Sequence, residues 1–152
     1  MSIAARLAEL GVDLPEPAKP VASYVSYVQT GNLVHISGQL SNDASGGIKG
    51  TVGEDVSPEQ AQAAARLCAI NLIAQMRAAL DGDLDRVVRI VKLGGFVQAG
   101  PGFTAIPAVI NGCSDLMVEV FGDKGRHARS AVGVGSLPAG VTVEIEAIVE
   151  VD

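Results

Sequence analysis

The C-terminal stretch of this chain places the strongest constraint on its fold. From Val141 to Val151 the sequence reads VTVEIEAIVEV, in which apolar residues occupy every second position. Because successive side chains of a β-strand point to opposite faces of a sheet, this alternation predicts a strand with one apolar face. An apolar face of this length has to be covered, so the fold must contain a sheet that is backed by another layer.

Two long amphipathic helices are available as that layer. The first begins at Ser57, which is followed by a proline and, three positions on, by a glutamine. This is the pattern of an N-cap, a first-turn proline and a capping box, and the apolar stripe behind it continues to about Leu80. The second helix begins at Pro107 and keeps the helical spacing of apolar residues to about Phe121, where a glycine follows.

The remaining segments complete the order β-β-α-β-α-β-β. Residues 23–40 contain two strand-like runs around a Thr-Gly-Asn turn, which indicates a hairpin. Residues 86–98 form a long strand, for which we expect a bulge or bend at Gly94 and Gly95, and residues 130–134 form a shorter one. The predicted fold class is therefore α+β, with a single mixed sheet that carries two long helices on one face.

The N-terminus adds a short element to this order. The sequence MSIAARLAELG predicts a short amphipathic helix that ends at Gly11, and a proline-rich lead-in follows it to residue 18. A chain of 152 residues suits one domain with a real core. We therefore expect residues 1–152 to form a single domain, with residues 1–18 as its N-terminal helix and lead-in.

The charge and hydropathy of the chain limit its partners. Hydrophobic residues make up 48% of the sequence and charged residues 18%, so either a buried sheet or a subunit interface must cover part of the apolar surface. The net charge is −6, and the only cluster of basic residues is Lys124, Arg126 and Arg129. Because phosphate backbones are bound by clustered basic side chains, a nucleic-acid partner is not expected. No apolar run approaches a membrane span, and we expect a cytoplasmic protein.

The cysteines and histidines do not suggest a metal site. Cys68 and Cys113 both fall in the predicted helices, and we expect two buried free thiols. A metal site would need more ligands at short spacing, so no metal is expected. His35 lies inside a predicted strand and is expected to be a packing residue. His127 either lines a cleft with Arg129, two positions further on, or lies in a solvated loop.

Two segments together carry a resemblance to a known family. They are GNLVHISGQL at residues 31–40 and ARSAVGVGSLPAGVTVEIEA at residues 128–147. With the element order between them, they resemble the Rid family of reactive-intermediate deaminases, which are also called translation inhibitors or endoribonucleases of the perchloric-acid-soluble type. The resemblance extends from about Lys19 to Val151. It implies a chorismate-mutase-like fold and a homotrimer, with a cleft at each subunit interface and no cofactor.

The resemblance also implies roles for particular residues. Arg129 matches the family arginine that clamps the carboxylate of a 2-imino or enamine acid, and a guanidinium suits that task because it binds carboxylates bidentately. Glu144 matches the glutamate that positions the attacking water, and a carboxylate can accept the proton of that water. Three further residues match ligand-contacting positions of the family: Tyr24, Gly38 and Asn111.

The chain also departs from the family pattern. Ala131 stands where typical deaminases carry a cysteine, and Gly133 stands where they carry a glutamate, which indicates a divergent branch. Three functions therefore remain open. The chain either hydrolyses small 2-imino or enamine acids to 2-keto acids and ammonia, or binds small carboxylic acids in the same cleft without turnover, or cleaves RNA as a translation inhibitor. The acidic net charge and an aromatic content of 3% disfavour the third.

Overall fold

A computed structural model describes residues 1–152 and confirms the predicted order of elements. Short 3₁₀ turns precede the last three strands. The helices and strands are, in chain order, α1 (Ile3–Glu9), β1 (Tyr27–Thr30), β2 (Leu33–Leu40), α2 (Pro58–Ala79), β3 (Val87–Gln98), α3 (Ile106–Phe121), β4 (Ala128–Val134) and β5 (Val143–Val151).

The five strands form one mixed sheet in the order β1-β2-β5-β3-β4. Strands β3 and β4 are parallel, and every other neighbouring pair is antiparallel. The last strand in sequence is therefore the central strand of the sheet. This mixed α+β architecture is the predicted one, and it leaves β1 and β4 as the two edges.

Helices α2 and α3 cover one face of the sheet and form the core with it. The apolar side of β5 lies under them, and none of its residues is more than 3% exposed.

The predicted start of α2 is confirmed. Ser57 Oγ accepts from the amide of Gln60 at 3.1 Å, and Gln60 Oε1 accepts from the amide of Ser57 at 2.8 Å. Gly122 ends α3 with a φ of +63°, a conformation that favours glycine.

The two long helices approach each other closely at Gly112 of α3. A Cβ atom at this position would lie 2.1 Å from the carbonyl oxygen of Gln62 in α2. The Gln62 side chain donates back across the contact to the carbonyl of Ala108 at 2.8 Å. Only glycine allows this approach, and it fixes the position of α3 over the sheet.

The opposite face of the sheet is open in the single chain. Val28 and Val132 on this face are 54% and 47% exposed. Thr142 precedes the central strand, and the alternation of the sequence would place it on the open face. It is instead fully buried, and its hydroxyl donates to the carbonyl of Gly50 at 3.1 Å. His35 is exposed on the open face, so it does not pack within the single chain, and the expected packing role stays a prediction.

The bulge expected at Gly94 and Gly95 is also wrong. The irregular pairing of β3 lies nearer its start, between Val87 and Lys92, and the two glycines pair regularly with both neighbours. A Cβ at Gly94 would lie 2.9 Å from Cγ of Glu146 on the open face, and one at Gly95 would lie 2.7 Å from Cδ1 of Ile110 on the helix face. Close approach on both faces explains the glycine pair.

Candidate functional site

Arg129 lies on the edge strand β4 and faces the helix layer. It is paired with Leu93 of β3, which in turn is paired with Ala147 of β5. Paired residues share a face of the sheet, and Leu93 and Ala147 are buried beneath the helices. The Arg129 side chain is therefore held between the sheet edge and α3, half-buried rather than free in solvent.

Three hydrogen bonds orient the Arg129 guanidinium against α3. Nη1 donates to Asn111 Oδ1 at 2.8 Å and to Ser114 Oγ at 3.1 Å, and Nη2 donates to the carbonyl of Pro107 at 3.3 Å. An arginine side chain has five N–H donors, so one donor on Nε and one on Nη2 remain. No carboxylate of the chain lies within 4.0 Å of this guanidinium. Its charge and two neighbouring donors are available to an anion.

His127 belongs to the same cluster. Its Nδ1 lies 2.6 Å from the carbonyl oxygen of Gly125, and its Nε2 lies 2.9 Å from Oγ of Ser114. Partial burial lowers the pKa of His127, and the positive charge of Arg129 lowers it further, while the hydrogen bond to Gly125 opposes both effects. Of the two alternatives for His127, the structure supports a place beside Arg129.

Glu144 lies on the other face of the sheet. It is paired with Phe96 of β3, which is paired with Val132 of β4 on the open face. Arg129 and Glu144 of one chain are therefore separated by the sheet itself. A ligand bound to the guanidinium on the helix side of the sheet cannot contact the Glu144 carboxylate of the same chain on the open face.

The Glu144 carboxyl group lies over Gly38 of the neighbouring strand β2. A Cβ at Gly38 of β2 would come within 2.8 Å of its Cδ and Oε2. Partial burial raises the pKa of Glu144, and the negative charge of Glu146 raises it further. The absence of a side chain at Gly38 creates the space for this carboxyl group, which is more basic than an exposed glutamate.

Tyr24 and Gly38 line one groove, whose volume is about 500 Å³. Tyr24 precedes β1 and is 53% exposed. Its segment is held near the sheet because Ser37 Oγ donates to the carbonyl of Val25 at 2.7 Å. Gly38 therefore both lines this groove and lies against the Glu144 carboxyl group, which is not itself part of the groove lining.

The six residues predicted from sequence thus fall into two groups within one chain. Arg129, Asn111 and His127 cluster between β4 and α3. Tyr24 and Gly38 line the same groove, and the Glu144 carboxyl group lies against Gly38. Sequence reasoning missed Ser114, which contacts both Arg129 and His127. Its position three residues after Asn111 puts it on the same side of a helix, and this spacing is the signal that would have found it.

Ala131 and Gly133 continue the row of Arg129 along β4. Alternate residues of a strand share a face, so both positions point toward the helix layer. A Cβ at Gly133 would lie 3.3 Å from Cδ1 of Ile106. Neither position offers a polar side chain, and the row beyond Arg129 has no group that could take part in proton transfer.

Three further features concern metal ions, the cysteines and membranes. No three histidine, cysteine, aspartate or glutamate side chains come together in an arrangement suited to a metal ion. Cys68 and Cys113 are both buried and unbridged, and burial raises the pKa of each thiol. None of the helices has the length and apolar character that a membrane crossing requires.

The comparisons with known proteins show the family to which the chain belongs. The family described as Endoribonuclease L-PSP has a model that matches residues 15–151. The chain belongs to the L-PSP family. The match begins after α1, so this helix lies outside the residues that the family model matches.

Relatives of this L-PSP chain include proteins with different names. It is 51% identical over 152 residues to Protein TCP17 of Trypanosoma cruzi, covering 99% of this chain and 94% of that protein. It is 30% identical over 144 residues to a 2-iminobutanoate/2-iminopropanoate deaminase of Dermatophagoides farinae, covering 93% and 95%. A crystal structure of a candidate endoribonuclease from Shewanella oneidensis superposes with a TM-score of 0.95 at 30% identity, covering 99% and 100% of the two chains.

Proposed function

We propose that this protein hydrolyses small 2-imino or enamine acids to 2-keto acids, with release of ammonia. One observation carries the proposal: the Arg129 guanidinium is fixed by three neutral acceptors, has no carboxylate partner and retains two donors. A guanidinium in this state suits a planar carboxylate, which accepts two parallel N–H bonds. The deaminase named among the relatives acts on substrates of this class.

The chemistry requires one water molecule per turnover. Water adds its oxygen to the carbon of the C=N bond, and a base accepts one of its protons. An enamine acid first tautomerises to the imine, and addition of water to the protonated C=N bond gives a carbinolamine. Protonation of the carbinolamine nitrogen and loss of its hydroxyl proton to the base then expel ammonia and leave the C=O of the 2-keto acid. Glu144 is the proposed base and then the proposed acid. Its raised pKa makes it a better proton acceptor than an exposed carboxylate, and a pKa nearer to neutral pH suits a group that both accepts and returns a proton.

The proposed site needs a second copy of the chain. Since Arg129 and Glu144 lie on opposite faces of the sheet, one chain cannot place both on the same ligand. We propose a homotrimer in which the open sheet faces meet and each site combines Arg129 of one subunit with Glu144 of a neighbour. The exposed apolar residues of the open face, including Val28 and Val132, favour such an interface. Light scattering should report three chains, and a monomer at all concentrations would contradict the proposal.

A binding protein without turnover is the second candidate. It is favoured by the alanine at position 131 and the glycine at position 133, since neither can move a proton. RNA cleavage is the third, because the family description and one neighbour carry the name endoribonuclease. The net charge of −6 argues against it, since phosphate contacts need clustered positive charge.

The test separates binding from turnover. Semicarbazide competes for a freshly generated imino acid, so a hydrolase lowers the yield of semicarbazone. Arg129→Ala should abolish both this effect and the binding of small 2-keto acids. Arg126→Ala is the matched control, because that side chain is 71% exposed and paired with Asp123. Glu144→Gln should still bind 2-keto acids but lose turnover.

Three outcomes decide among the candidates. Turnover that disappears in both Arg129→Ala and Glu144→Gln supports the hydrolase. Binding that depends on Arg129 without any turnover in the parent supports the binding protein. If Arg129→Ala binds 2-keto acids as tightly as the parent does, the assignment of the guanidinium to the ligand is wrong.

A further inference from the structure

The side chains behind Arg129 form a continuous row of hydrogen bonds. It runs from the carbonyl of Gly125 through the imidazole of His127 and the hydroxyl of Ser114 to Nη1 of Arg129, with distances of 2.6, 2.9 and 3.1 Å. We propose that Ser114 and His127 are positioning residues, which hold the Arg129 guanidinium in the orientation that receives a carboxylate. The carboxylate part of this proposal rests on the proposed function.

The direction of each hydrogen bond follows from the one before it. The Gly125 carbonyl can only accept, so Nδ1 of His127 carries a hydrogen. In a neutral ring Nε2 is then an acceptor, and the hydroxyl of Ser114 is the group that donates to it. The Ser114 oxygen consequently turns its lone pairs toward Nη1 of Arg129. The row therefore fixes one tautomer and one hydroxyl orientation.

The surroundings favour the neutral ring that the row requires. His127 is partly buried, and a positively charged ring would stand beside Arg129; both effects lower its pKa. A serine inside a helix often turns its hydroxyl to the carbonyl four residues earlier. The Ser114 hydroxyl instead bonds to His127, which lies outside the helix.

The row constrains Arg129 because Ser114, its last member, accepts the second hydrogen of Nη1. Asn111 accepts one hydrogen of Nη1 and Ser114 accepts the other. Without Ser114 the guanidinium keeps one acceptor at Nη1 and a longer contact from Nη2 to the Pro107 carbonyl, at 3.3 Å. Loss of one such bond to a charged group weakens a bound carboxylate by about five- to tenfold, since the freed guanidinium must be reoriented on binding.

Two substitutions at position 127 separate positioning from simple packing. In His127→Gln, the side-chain carbonyl reaches the place of Nε2 and can accept from Ser114. In His127→Asn, the shorter amide reaches the place of Nδ1 and can donate to the Gly125 carbonyl, but it loses Ser114. Both variants replace the imidazole ring with a smaller side chain, so a role in packing alone predicts similar losses of binding in the two.

The experiment measures binding of 2-oxobutanoate by calorimetry at pH 7.5. We expect His127→Gln to bind within about twofold of the parent, and His127→Asn and Ser114→Ala to bind about five- to tenfold more weakly. The double variant Ser114→Ala/His127→Asn should be no weaker than either single one, because both remove the same row. Arg126→Ala is again the control, because that side chain is 71% exposed and paired with Asp123.

A second readout needs no ligand. Nuclear magnetic resonance should show His127 as the Nδ1–H tautomer, and the chain has only one other histidine, which simplifies assignment. The Nη1 protons of Arg129 should be resolved by hindered rotation in the parent and in His127→Gln, but averaged in His127→Asn. Identical Arg129 signals in all three proteins would overturn the positioning role.

The outcomes distinguish this inference from the proposed function. If Arg129→Ala abolishes binding while His127→Asn and Ser114→Ala bind like the parent, the positioning role is wrong and the proposed function stands. If the parent does not bind 2-oxobutanoate, or Arg129→Ala binds it equally well, the proposed function fails. The Arg129 resonances then decide separately whether the row holds the guanidinium.

Discussion

Replacing Gly112 by alanine should destabilise the protein, because the added Cβ atom has no room between the two long helices. The new Cβ would lie 2.1 Å from the carbonyl oxygen of Gln62 and 2.9 Å from its carbonyl carbon. Cβ atoms essentially never lie within 3.0 Å of a non-bonded heavy atom, and the obstructing atoms belong to the backbone of α2 rather than to a flexible side chain. The two helices must therefore move apart by roughly 1 Å to admit the methyl group.

The magnitude follows from two opposing contributions. Overpacking of a close contact costs typically about 1–3 kcal/mol, and a backbone obstruction places this case at the upper end. Alanine is a better helix former than glycine, and this offsets about 0.5–1 kcal/mol. We expect a net loss of roughly 2 kcal/mol in the free energy of unfolding, or about 4–8 °C in Tm for a chain of this size.

Urea unfolding followed by far-ultraviolet circular dichroism measures this loss at a fixed protein concentration. Gly135→Ala is the control for an added methyl group, because nothing lies within 4 Å of its Cβ position. Since Gly112 lies between Asn111 and Ser114 on α3, binding of 2-oxobutanoate should weaken as well. A Gly112→Ala variant as stable as the parent would refute the close approach of the helices.

Three further predictions concern the site and the core. Gly38→Ala should lower turnover with little loss of stability, since its Cβ would displace the flexible Glu144 carboxyl group from its place on β2; unchanged turnover would contradict that role. Relative to His127→Gln, the parent should gain stability as the pH rises from the lowered pKa of His127 to its unfolded value of about 6.5, because the folded state binds fewer protons; urea midpoints across pH 5–8 measure this. Cys68 and Cys113 should react with a thiol reagent only after unfolding, and fast labelling of the native protein would contradict their burial.

Local patterns in the sequence predicted the elements and the buried face. The start of α2 at Ser57 and the apolar side of β5 follow from contacts between near neighbours along the chain, which spacing encodes directly. The register between strands does not follow in this way. No local pattern indicates that Arg129 is paired with Leu93 while Glu144 is paired with Phe96, and so the separation of the two side chains by the sheet was not predicted.

Glycines and polar helix residues were the other sources of error. A glycine pair inside a strand is consistent with a bulge or with close approach, and only the neighbours Glu146 and Ile110 distinguish the two. Ser114 shares a helix side with Asn111, but its contact with His127 depends on where β4 begins relative to α3. These features depend on tertiary distances that residue type and spacing leave undetermined.

The place of β5 at the centre of the sheet has a consequence for synthesis on the ribosome. Strands β2 and β3 have no direct contact in the sheet order and are joined only through β5, which follows both of them in the sequence. A nascent chain therefore carries two separate half-sheets, in which the edges of β2 and β3 that pair with β5 are unpaired, until β5 has been synthesised. A chain truncated before Val143 lacks the strand that unites them, so we expect it to be recognised by chaperones and degraded rather than to fold in part.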